Sequence, residues 1–87
     1  MHLILVYDVG QKRVGKVCRT LRRRLNWVQN SVFEGEVSEA EFKRIQADLS
    51  EIIRPDEDSI LFYCIQNPHG WEKRIMGQER LSTDTFL

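Results

Sequence analysis

Residues 2–25, HLILVYDVGQKRVGKVCRTLRRRL, change their hydrophobic period at one point, and that change decides the fold. His2 to Tyr7 is a continuous apolar stretch closed by Asp8, Val9 and Gly10, the pattern of a central strand buried on both faces. From Gln11 to Asn26 the apolar positions Val14, Val17, Cys18, Leu21 and Leu25 recur at helical spacing, with Lys and Arg in most other places. The spacing predicts an amphipathic helix with a very basic outer face.

Downstream, Trp27, Val28, Val32, Phe33 and Val37 supply β-favouring residues around Glu34-Gly35-Glu36, read as a strand continuing through or bulging near Gly35, or as a hairpin. Ser38 followed by Glu41 has the form of a capping box, and Phe42, Ile45, Leu49, Ile52 and Ile53 mark a second amphipathic helix ending before Pro55. Arg54 to Asp58 reads as a turn, Ser59 to Ile65 (SILFYCI) as another apolar strand, and Trp71 to Met76 as a short extra strand. The order is that of an α+β, ferredoxin-like βαββαβ sandwich, with an antiparallel sheet carrying both helices on one face. The uncovered sheet face needs a cover, and a second copy of the chain, as a homodimer through that face, requires only one self-complementary patch.

With 87 residues, 41% hydrophobic and 30% charged, the expectation is a single globular domain over 1–87 whose last residues, roughly 78–87, are a loosely ordered tail. Cys18 and Cys64 match no metal-finger spacing and lie in apolar segments, so both are read as buried, reduced thiols. The apolar run at the start has no basic leader and no cleavage site, and nothing is long enough to span a bilayer; the expectation is a cytoplasmic protein with no membrane partner. Net charge is zero, yet residues 1–30 hold seven Lys or Arg against a single acid, Asp8, an asymmetry that suggests a polyanion-binding face. A merely solvated helix surface would look the same.

The residues also resemble a known family. A strand ending in Tyr7-Asp8, then Arg13 and Lys16-Val17 in a basic helix, then Val28-Gln29-Asn30-Ser31-Val32-Phe33-Glu34-Gly35, is similar to the CRISPR-associated Cas2 family over nearly the whole chain, QNSVFEG being the most specific part. The resemblance implies a homodimer that joins a partner CRISPR integrase subunit in acquiring new spacers, and a metal-dependent endonuclease acting on RNA or duplex DNA. It implies further that Asp8 is the metal-binding aspartate, with Mg²⁺ as cofactor. Tyr7 is the neighbouring aromatic, Arg13 the helix arginine, expected among the nucleic-acid-binding residues, and Ser31 and Phe33 the matching serine and phenylalanine.

On chemical grounds Asp8 sits where a buried strand opens onto a loop, which holds a carboxylate rigidly while it faces solvent; a turn or helix-start cap is the competing role. Mg²⁺ usually takes one or two carboxylates plus waters and substrate phosphates, so two Asp8 side chains across a dimer axis suffice. Lys12, Lys16, Arg19 and Arg23 fall on one stripe at i, i+4 and i+3 spacing, suited to phosphates but not to base edges. Ser31 has the chemistry to bond a phosphate or to be satisfied within the sheet, and Tyr7 and Phe33 are expected to pack first. His2 and His69 have no partner at ligand spacing. The competing function classes are a nuclease, a non-catalytic dimeric scaffold holding nucleic acid for the integrase, and a ligand-sensing domain; the Arg-rich helix and the lack of a Gly-rich ligand loop disfavour the last.

Overall fold

A computed structural model describes residues 1–67 and 69–79. The elements in chain order are β1 (His2–Asp8), α1 (Gln11–Leu21), β2 (Asn26–Gln29), β3 (Val32–Glu36), α2 (Glu39–Ser50), β4 (Ser59–Asn67) and β5 (Gly70–Gly77). The strands form one antiparallel sheet in the order β2-β3-β1-β4-β5. This is the ferredoxin-like α+β fold, with β5 added beside β4.

Alternation along the strands sorts residues into two faces. Leu3, Leu5 and Tyr7 of β1, Phe33 of β3, and Ile60, Phe62 and Cys64 of β4 are buried on one face with Val17 and Leu21 of α1 and Phe42, Ile45 and Leu49 of α2. Phe42 meets Phe62 edge to face, centroids 5.2 Å apart. On the other face of β1, His2, Ile4 and Val6 are only half-buried. The expectation of a strand buried on both faces is therefore corrected for the single chain, because the helices cover one side only.

Helix α1 stops at Leu21, five residues short of the predicted Asn26. The apolar period runs on because Leu25 is buried from a turn: its N–H donates to the Leu21 carbonyl at 2.8 Å and its Cδ2 lies 3.1 Å from where a Cβ on Gly35 would sit. The next segment is a hairpin, with Asn30 at its tip in the left-handed region (φ 41°). Its bulge falls between Trp27 and Gln29, not near Gly35, which keeps regular register opposite Leu3. Helix α2 carries the predicted capping box: the Glu41 N–H donates to Ser38 Oγ (3.1 Å) and the Ser38 N–H to Glu41 Oε1 (3.0 Å).

Of the tail expected to be loose, only Gln78 and Glu79 are described, and Gln78 is held by its N–H on the Asp58 carbonyl (2.8 Å) and its side chain on the Pro55 carbonyl (2.9 Å). Just before it, Gly77 has φ 79°, and a Cβ there would run into the Asp58 carbonyl. Gly15, by contrast, is exposed within α1 and its Cβ would meet nothing closer than Arg19 Nη1 at 3.4 Å. Urea denaturation should separate the two glycines: Gly77→Ala loses more than about 1 kcal/mol of stability, whereas Gly15→Ala gains about 0.5–1 kcal/mol from helix propensity.

Candidate functional site

Asp8 closes β1, exposed, and pairs across the sheet with Ser59 of β4. Strand alternation puts it on the face of Ile4 and Val6, opposite the buried Tyr7. The helix that follows takes Gly10 as its N-cap residue, two positions beyond Asp8.

The negative charge at the start of α1 comes from Asp58, nearly fifty residues away in sequence. Asp58 is fully buried, and each carboxylate oxygen accepts two hydrogen bonds: Oδ1 from the Gly10 N–H and Arg13 Nη2 (both 2.9 Å), Oδ2 from Arg13 Nε (2.6 Å) and the Arg54 N–H (2.9 Å). The Arg13 pair is bidentate, the strongest form of such contact. It holds the Asp58 carboxyl well below the usual carboxylate range against the opposing effect of burial, with the Arg54 and Gly10 N–H groups adding to it. The same bonds raise the Arg13 guanidinium further above its already high value. Arg13 Nη2 also reaches Glu57 Oε2 at 3.0 Å. A Cβ on Gly10 would lie 2.5 Å from Arg13 Nη2, so this glycine leaves room for the clamp.

Arg13, expected among the nucleic-acid-binding residues, gives its guanidinium to a buried carboxylate, and its side chain keeps 20% exposure. Lys12, Lys16 and Arg19 are exposed on α1, and Arg23 is exposed in the turn beyond the helix end. Tyr7 and Phe33 pack together, centroids 6.1 Å apart. The Tyr7 hydroxyl lies 3.1 Å from Cys18 Sγ and is pushed up to about 12, first by burial and then by that contact. The Ser31 hydroxyl acts on Tyr7 in the opposite sense, and the Tyr7 N–H donates to the Ser31 carbonyl at 3.0 Å, so Ser31 belongs to the corner beside Asp8. Cys18 is half-buried and Cys64 buried, both as free thiols.

Opposite the helices, Ile4, Tyr63, Ile65 and Trp71 line an open apolar hollow of about 440 Å³. Trp71 is 63% exposed, and its ring lies 6.1 Å from that of Tyr63. Among the described residues no three His, Cys, Asp or Glu side chains gather as a metal cage. Toward an implied Mg²⁺, one chain presents the exposed carboxylate of Asp8, an oxygen donor of the type that ion takes together with waters and substrate phosphates. No helix is long and apolar enough to cross a membrane among the described residues.

Sequence reasoning missed Asp58, which sits in an acidic run, Asp56-Glu57-Asp58, that reads as a solvated turn. The available signal was Arg13 itself, which falls off the 12-16-19-23 stripe and so points away from the basic face.

The family model for CRISPR associated protein Cas2 matches residues 1–73. The chain is 41% identical to the CRISPR-associated endoribonuclease Cas2 of Dictyoglomus turgidum over 87 residues, all of both chains. It is 49% identical to that of Thermococcus kodakarensis over 80 residues, 92% of each. Among solved structures, one described as a crystal structure of Cas2 superposes with TM-score 0.74 at 35% identity, covering 95% of this chain and 93% of that one. Streptococcus pyogenes Cas2 superposes with TM-score 0.69 at 38% identity, covering 75% and 86%.

The clamp has a pH signature. Because the Asp58 carboxyl is depressed in the folded chain, its contribution is fully present above the unfolded value of about 4 and is lost as pH falls below it. Asp58→Asn should lower stability at pH 7 by about 3 kcal/mol, since it leaves Arg13 without its charge partner. In urea melts the gap between wild type and variant should narrow as the pH is brought from 7 towards 3.

Proposed function

The chain belongs to the CRISPR associated protein Cas2 family, and from that membership we propose that it works as a homodimeric, Mg²⁺-dependent endonuclease on RNA. The observation that carries the reading is the placement of Asp8: exposed at the end of the central strand, on the sheet face that also bears the Ile4–Tyr63–Ile65–Trp71 hollow. An apolar patch of this kind is unfavourable in water and marks an interaction surface. Closing two such faces on each other buries it and directs both Asp8 residues into one interface.

In that dimer the two Asp8 carboxylates would hold the ion, and β1, bonded on both edges to β3 and β4, keeps each of them in place. Bound there, Mg²⁺ supplies an activated water and neutralises charge on the phosphodiester. The exposed Lys12, Lys16, Arg19 and Arg23 bind backbone phosphates without reading bases, which makes binding indifferent to sequence and steeply salt-dependent. The names of the relatives, endoribonucleases, favour RNA over duplex DNA.

A second reading is supported by the same basic face: a scaffold that holds nucleic acid for a partner integrase without cutting it. Labelled RNA and duplex DNA incubated with wild type and Asp8→Ala, with Mg²⁺ or EDTA, separate the two. The expected outcome is RNA cleavage that Asp8→Ala and EDTA each abolish while binding persists. Tight binding with no Asp8-dependent cleavage would leave the scaffold as the account.

A further inference from the structure

Trp27 has no role in that chemistry, yet its setting is unusual for a large aromatic. All four residues of β2 are exposed, and Trp27 keeps 55% of its surface in water beside Val28 at 44%. Its indole N–H is nonetheless satisfied, donating to the Asn30 carbonyl at 3.0 Å across the hairpin tip. The ring is therefore moored in one orientation with its polar edge used, so what it offers a ligand is flat apolar surface. A moored ring loses little freedom on binding.

The surroundings are cationic. Arg22, Arg23 and Arg24 precede β2 with only the buried Leu25 between, and Arg22 and Arg23 are exposed. Arg22 acts electrostatically on the Tyr7 hydroxyl, and so does the hydroxyl of Ser31, in the hairpin tip that anchors Trp27. That tip is bonded to β1 through the Tyr7 N–H and the Ser31 carbonyl, one residue before Asp8. A fixed exposed ring together with a nearby run of exposed arginines in the chain is a combination by which proteins hold unpaired bases: the ring stacks on the base while the cations take the phosphates. Bases inside a duplex are stacked and paired, and cannot reach such a ring.

We infer that Trp27, with the exposed arginines that precede β2 in the chain, is a stacking subsite for an unpaired base of single-stranded RNA, separate from Asp8 but at the same end of the sheet. The inference rests on the proposed reading only in taking RNA as the ligand, and it does not require cleavage.

Binding of a short single-stranded RNA and of a duplex RNA of equal length, measured in EDTA at one moderate salt concentration, tests it. Trp27→Ala should weaken single-strand binding on the order of 5- to 100-fold, while Trp27→Phe stays within about threefold of wild type. Duplex affinity and the thermal midpoints of both variants should be unchanged. Wild-type affinity of Trp27→Ala for the single strand, or an equal loss on both RNAs, overturns the subsite. Wild type binding neither RNA overturns the subsite and the proposed substrate together. A selective loss in Trp27→Ala alongside absent Asp8-dependent cleavage supports the subsite and removes only the nuclease reading.

Discussion

One buried carboxylate ties the ends of this fold together. Asp58 takes the Gly10 and Arg54 N–H groups and a bidentate Arg13 on its side chain, and the Gln78 N–H on its carbonyl. Those bonds join the β1–α1 loop, the first turn of α1, the turn before β4 and the end of β5. A buried charge is tolerable only when it is paired and fully hydrogen-bonded, and Asp58 meets both conditions. Among the described residues no buried side-chain polar atom lacks a partner. The clamp also fixes the backbone two residues beyond Asp8, from the core side of the sheet.

Much of this was legible in the chain. The switch from a continuous apolar run to a 3.6-residue period gave β1 and α1, Ser38 and Glu41 gave the start of α2, and SILFYCI gave β4. What misled was local: Leu25 continues the helical period while serving a turn, and Gly35 looks like a bulge while it makes room for Leu25. The position of Asp8 at a strand end and the exposure of Lys12, Lys16 and Arg19 on α1 were readable because strand end and helix face follow from periodicity, whereas Arg23 falls beyond the end of α1. The employment of Arg13 was not, because nothing in the period of a helix says that a distant acid will turn inward to meet it.

The two faces of the sheet divide the labour. One is filled by Phe33, Phe42, Phe62 and the aliphatic residues of both helices. The other presents an apolar hollow and, at its end, Asp8. On the proposed reading, a single chain so built holds half a metal site beside an uncovered apolar surface, and the docking of a second copy would complete both. Membership of the family explains why the chain carries these features together, while the physics of burial explains why they lie on one face.

That pairing is the central claim, and sedimentation equilibrium of wild type and Ile4→Glu, with RNA cleavage followed on the same samples, tests it most directly. The account predicts two chains per particle for wild type, one for Ile4→Glu, and loss of cleavage with loss of the dimer, although Asp8 is untouched. Cleavage by a particle of one chain would contradict it.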